Sequence, residues 1–159
     1  MRRRIAQPLH LTSAAYDPHS RISGTHPHGY RVGTGGKPTD ATTWSLGVGA
    51  GGVIVANAAD EARFLTALMR GRLTGAAQLA DLKAPSSASP NYGLGTCIGA
   101  SGCAGIVYGH NGGGDGFETN VSVAGHGSCV AVLLLNGRTA DDRGDDVAFK
   151  AMNRLYCAA

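Results

Sequence analysis

The sequence predicts an α+β fold: an antiparallel sheet covered by a C-terminal helix, with an irregular helical segment ahead of it. Two observations lead there. Tyr92–Ile98, Ile106–Gly109, Glu118–Val123 and Cys129–Leu135 alternate or run apolar and are joined by glycine turns, as in a meander. Val147–Tyr156 then carries Val147, Ala148, Ala151, Met152 and Leu155 at helical spacing. A run of strands closed by a helix buries one sheet face under that helix.

Ahead of the meander, residues 1–15 read as a helix end passing into a turn. Pro8 stops the helix begun by Arg2–Ile5, because it lacks the amide hydrogen a helix needs. Residues 16–50 are rich in Gly, Pro, Thr and His, with one short strand expected at Tyr30–Val32. Val53-Ile54-Val55 follows as a further extended run. Asn57 is placed to cap a helix with Asp60 and Glu61 in its first turn, where the helix dipole favours acids. Ala62, Phe64, Leu65, Leu68 and Met69 give that helix its apolar face, and Gly71 is its natural stop. A second helix is expected over Ala76–Lys83, capped by Thr74 and ended by Pro85. The whole chain, 1–159, reads as one domain portion, with 1–91 helical and irregular and 92–159 the sheet and terminal helix.

Composition narrows the function classes. With 159 residues, 43% hydrophobic and 16% charged, the chain can bury a core. A net charge of +3 with scattered basic residues offers no nucleic-acid surface. No apolar run approaches the ~20 residues of a membrane span. Arg2-Arg3-Arg4 imitates the start of a signal peptide, but Ile5–His10 is not its apolar core, so the chain as written would stay cytoplasmic. Cys97, Cys103, Cys129 and Cys157 allow three complete pairings and lack zinc-site spacing. An even count suggests disulfides and an oxidising compartment, which conflicts with the missing export signal. A lost N-terminal half would reconcile the two.

The densest chemical signal is Tyr108-Gly109-His110-Asn111-Gly112-Gly113-Gly114-Asp115-Gly116-Phe117, with five glycines around a His-Asn pair. Glycine at that density lets a ligand or another backbone approach a strand edge.

This segment resembles the third active-site motif of the serine β-lactamase and penicillin-binding superfamily, a Lys/His-Thr/Ser-Gly triplet on an edge strand. Ile5–Thr12 is similar to that family's Pro-Leu-Gly-Met-Thr segment. Trp44, Gly49–Val55 and Asn57–Met69 resemble its Gly-Gly-Leu…Asp-Leu-Ala-Arg-Phe stretch, and Tyr92-Gly93-Leu94-Gly95 its entry into the sheet. The Cys103…His110 spacing and the Cys-bearing last helix look most like actinobacterial D-alanyl-D-alanine carboxypeptidases. The resemblance implies a partial β-lactamase/transpeptidase-like fold and an acyl-serine hydrolase. Its substrate would be a small peptide, a β-lactam or an ester, with no cofactor or metal. The intact family member would lie outside the cell or in a periplasm-equivalent space.

Carried over residue by residue, the backbone N–H of Gly113 would complete the oxyanion hole. His110 would stand for the usual Lys near the proton shuttle, and Asn111 would donate to a substrate carboxylate. Gly112 would let the substrate backbone lie against the strand. Trp44 and Phe117 would be apolar walls of the cleft. A Cys103–Cys157 bridge is expected, because Cys103 precedes the His110 strand and Cys157 ends the helix crossing that sheet. Cys97 and Cys129 would pair only if their strands were neighbours.

Two of the three family motifs are absent. Three residues before the three lysines, Lys37, Lys83 and Lys150, stand Thr34, Ala80 and Val147, so there is no Ser-x-x-Lys. No tyrosine begins Tyr-x-Asn/Ser. The chain alone should therefore be inactive. The alternative is a non-catalytic module that holds a peptide or cell-wall stem on the same cleft edge. A carboxypeptidase needs a cation for the terminal carboxylate, and residues 96–102 carry none.

Other patterns carry less. His26-Pro27-His28 has no carboxylate beside it in sequence and reads as loop. Gly33–Pro38 fails as a phosphate loop, since Pro38 stands where Ser/Thr is needed. Asp141, Asp142, Asp145 and Asp146 lack calcium-loop spacing. Ser101 lies one residue short of Gly-x-Ser-x-Gly. An incomplete sheet would leave an open edge through which the chain could self-associate.

Overall fold

The computed structural model describes residues 1–16, 22–43, 52, 54–114, 116–125, 127–139 and 143–158. The chain begins with a single π-helical turn, Arg2–Ala6, followed by turns through Pro8 and His10. Strand β1 (Ala15–Tyr16) later pairs antiparallel with β4 (Ile54–Val55). Between them β2 (Tyr30–Val32) and β3 (Pro38–Asp40) form a hairpin, and the expected strand at Tyr30 is present.

Helix α1 (Ala58–Met69) starts as its sequence dictates. The Asn57 side chain accepts the Asp60 N–H, satisfying one of the free amides of the first turn. Arg70 is its C-cap, and Gly71 follows with φ +71°, a conformation only glycine adopts without strain. Asp60 is buried and anchors the N-terminal segment. One carboxylate oxygen accepts from both the amide and the hydroxyl of Ser13, and the other pairs with Arg63 at 2.8 Å. Helix α2 (Ala76–Lys83) has the expected bounds but a different cap. Gly75 occupies the cap without a side-chain bond, and the Thr74 hydroxyl is buried without a partner.

The main sheet has four antiparallel strands in chain order: β5 (Cys97–Ser101), β6 (Gly105–Gly114), β7 (Phe117–Ala124) and β8 (Val130–Leu135). Two expectations are corrected here. The first strand begins at Cys97, not Tyr92. A Cβ on Gly93 would overlap the Leu82 carbonyl oxygen, and Gly95 is left-handed at φ +78°, so Tyr92–Thr96 is a turn packed on the end of α2. The second strand continues past Gly109 to Gly114, because β7 supplies a partner for every residue from Val107 to Gly114.

Alternation along the strands sorts the core into two layers. On one face Val107, Ala124 and Ala131 meet Met152 and Tyr156 of α3 (Arg143–Ala158). On the other, Val123 packs on Leu65 and Met69 of α1, with Leu79 and Leu82 of α2 and Tyr108 around them. The buried stripe of α3 is therefore Ala148, Met152 and Tyr156. Val147 and Leu155, expected on that stripe, are exposed. After β8, β9 (Gly137–Thr139) leaves this sheet and pairs parallel with β2, placing Arg138 opposite Arg31.

The Cys103–Cys157 disulfide is present, with Cα atoms 5.2 Å apart. It fastens the last turn of α3 to the turn before β6. Cys97 and Cys129 are free thiols: two strands separate them in the sheet.

Candidate active site

The His-Asn-Gly segment lies on the second half of β6, and the sheet explains why that half is accessible. Strand β5 pairs with β6 only from Ser101↔Gly105 to Cys97↔Gly109. Beyond Gly109, residues His110–Gly114 pair with β7 alone among the described residues, which leaves their other side as an edge unpaired by any described strand. Gly109 is required at the branch point, since a Cβ there would overlap the Val121 carbonyl oxygen.

Alternation divides the candidate residues. Tyr108, His110 and Gly112 face the α1/α2 side, where no atom of the described residues stands within 4 Å of a Cβ built on Gly112. Asn111 and Gly113 face the α3 side. There Asn111 helps line a cavity of about 390 Å³ between α3 and the sheet, together with Gly99, Ser101, Gly109, Phe149 and Tyr156. The two glycines put no side chain into that space. At its floor the Tyr156 hydroxyl bonds Ser122 at 2.8 Å. Burial raises the Tyr156 pKa, and the Ser122 bond partly offsets that rise.

Two residues that sequence reasoning did not single out join the site. The Tyr92 hydroxyl stands 2.9 Å from His110 Nε2, with the rings edge to face at 5.8 Å. His110 Nδ1 contacts the Asn111 carbonyl oxygen. Arg138 brings its guanidinium against the strand: a Cβ on Gly113 would stand 2.7 Å from Nη1. A cation is thus next to the oxyanion-hole candidate, although residues 96–102 hold none.

The remaining expectations are placed as follows. The Phe117 ring packs against Gly29, where a Cβ would stand 2.5 Å from Cε2. Trp44 lies outside the described residues, as do Asp115, Asp141 and Asp142. His28, read as plain loop, has a carboxylate partner after all. Its Nδ1 is 2.7 Å from Asp40 Oδ2. Bonds from the Thr42 hydroxyl and amide, and from His28, lower the Asp40 pKa to about 2.

An antiparallel sheet with α3 on one face, α1 and α2 on the other and a glycine-lined strand edge is the α+β, β-lactamase/transpeptidase-like arrangement expected from the sequence. Residues 1–151 match the family model described as Beta-lactamase, and the chain belongs to that family. It is similar to a D-stereospecific amidohydrolase from Streptomyces sp., at 26% identity and TM-score 0.75, covering 86% of this chain and 42% of that one. It is similar also to the D-amino acid amidase of Ochrobactrum anthropi SV3, solved with L-phenylalanine amide, at 25% identity and TM-score 0.70, covering 88% and 44%. A penicillin-binding protein from Bacillus halodurans shares the fold at 19% identity and TM-score 0.71, covering 94% and 47%. The chain spans less than half the length of each of these three.

Proposed function

We propose that this chain supplies the third-motif half of an acyl-serine hydrolase site and that the nucleophile comes from polypeptide outside these 159 residues. The observation that carries the reading is the edge at His110–Gly114, unpaired by any described strand, in a chain of the β-lactamase family. A substrate backbone would lie along that edge, with Gly112 leaving room and the Gly113 N–H stabilising the oxyanion. The two amidase-like neighbours weigh toward amide hydrolysis at a D-configured centre and against a non-catalytic module. Arg138 beside Gly113 favours substrates that end in a carboxylate, as a D-alanyl-D-alanine carboxypeptidase requires. The Cys103–Cys157 bridge is what an oxidising, extracytoplasmic location of the intact enzyme would support.

The test is made on the purified chain with nitrocefin, p-nitrophenyl esters, D-phenylalanine amide and D-alanyl-D-alanine peptides. No turnover above background is expected, since removing a nucleophile costs about 10⁶ in rate. A burst of product with a covalent acyl adduct in the mass spectrum would refute the reading. So would an unrelated gene immediately upstream, where Ser-x-x-Lys and Tyr-x-Asn codons are expected.

A further inference from the structure

We propose that the cavity between α3 and the sheet is a binding site for a small neutral aromatic amide, separate from the cleft edge and independent of the acyl-transfer reading. The strand register builds its floor. Gly99 is paired with Val107 across β5 and β6, and Gly109 with Ser122 across β6 and β7. Alternation turns these residues and Asn111 toward α3, away from the face on which His110 and Gly112 stand. Phe149, Met152 and Tyr156 of α3 form the roof, and Phe149, 58% exposed, marks the open side. The two glycines leave the floor without side chains at its centre. At Gly99 a Cβ would meet only Val107, at 3.4 Å. The resulting volume of about 390 Å³ falls within the ~300–1,000 Å³ usual for small-molecule sites.

The lining selects the ligand's chemistry. Among the described residues no Asp, Glu, Lys or Arg lines the cavity, and the His110 ring that borders it is bonded to Tyr92. A charged ligand would lose its hydration there without gaining an ion partner, so the occupant is neutral. Val107, Met152 and Phe149 offer apolar surface to a flat ring, and the Met152 sulfur suits an aromatic edge. The polar groups suit an amide. Tyr156 Oη and Ser122 Oγ share one bond of 2.8 Å, and two hydroxyls carry two hydrogens, which leaves the second for a carbonyl oxygen. The Asn111 carboxamide can accept from an amide N–H and donate in return. The Cys103–Cys157 bridge fastens the helix turn that carries Tyr156, so the hydroxyl pair is preorganised and little ordering is left for the ligand to bring about.

The experiment uses the purified chain, labelled with ¹³C at its methionine methyls, and two probes of equal size: indole-3-carboxamide and indole-3-carboxylate. Met152 lines the cavity, whereas Met69 packs in the layer on the other side of the sheet, so the two methyls report on opposite faces. The carboxamide should move the Met152 signal saturably and leave Met69 in place. The carboxylate should bind at least about tenfold more weakly, because its charge finds no partner. Gly99→Leu places a side chain in the floor where the backbone has room for one, and it should abolish the Met152 movement while Met69 keeps its native shift. If that variant does not fold, as the Met69 signal would reveal, the two probes on the native chain still decide. A Met152 signal that never moves, a Met69 signal that moves as far, equal affinity for the carboxylate, or binding that survives in folded Gly99→Leu would each overturn the proposal. None of these readouts involves turnover, so refutation of acyl transfer would leave them standing.

Discussion

Gly109 of β6 lies directly against the backbone of Val121 in β7, leaving no room for a Cβ beneath the Val121 carbonyl oxygen. Gly112, three residues along the same strand, has none of the described residues within 4 Å of where its Cβ would be. Two alanine substitutions should therefore behave differently. Gly109→Ala must push the strands apart and should cost about 1–3 kcal/mol. Gly112→Ala should stay within about 0.5 kcal/mol of the parent. Denaturant midpoints measured on both variants check this, and equal losses would show that the strand register is misplaced.

Reduction should destabilise the chain substantially. The Cys103–Cys157 bridge closes a separation of 54 residues, for which the chain-entropy model gives about 4 kcal/mol. The melting temperature should fall with dithiothreitol and in Cys103→Ala. Cys97 and Cys129 should alkylate without reductant, whereas peptide mapping should recover Cys103 linked to Cys157. A Cys97–Cys103 linkage would show that α3 is wrongly packed.

Asp60 gives the acid limb of stability a specific origin. Burial alone would raise its pKa, but the Ser13 hydroxyl and amide and the Arg63 charge outweigh it, and the folded pKa is lowered. A lowered carboxylate stabilises the fold above its unfolded pKa of about 3.9 and loses that contribution as pH falls through the folded value. Glu61 is raised by burial and by the Asp60 charge, and its contribution runs the opposite way. Asp60→Asn should lower stability at neutral pH by roughly 1–3 kcal/mol, because one oxygen that accepts hydrogen bonds becomes a donor. It should also flatten the loss below about pH 4. Stability profiles against pH that superimpose for parent and variant would exclude this role.

The outer edge of β8 should make the chain associate. Val130–Leu135 carries no charge and no proline, no strand among the described residues pairs with its far side, and Leu134 is 41% exposed. Sedimentation should reveal dimers or larger species, and Leu134→Lys should shift them toward monomer. A parent chain that stays monomeric at all concentrations would show that the edge does not associate.

What the sequence made legible was chiefly local. Asn57 caps the helix it was expected to cap, and Cys103 finds Cys157, because both follow from chemistry within one element or from a helix crossing its own sheet. Contacts between distant segments were not legible. Tyr92 looked like the start of a strand, since an aromatic residue favours one. The backbone of Leu82, eleven positions before Gly93, excludes any side chain at that glycine and bends the segment into a turn. The periodicity ended the strand at Gly109 and left a glycine turn after it, yet β7 supplies partners that hold His110–Gly114 extended. Arg138 was not legible because it lies far beyond Gly113 in sequence, and only the parallel pairing of β9 with β2 brings that segment back to the site. His28 and Asp40 meet for the same reason, across a hairpin.

The bridge between Cys103 and Cys157 also changes what a broken backbone means. It turns everything from the turn before β6 to the end of α3 into a closed covalent ring. One cut by trypsin inside that ring, at Arg138 or Lys150 for example, opens a circle without releasing a piece. A cut at Arg70 or Arg72 severs the segment that carries α1 outright. A non-reducing gel of a partial digest would therefore show the candidate site strand and its covering helix travelling together even after a cut at Arg138 or within the helix at Lys150.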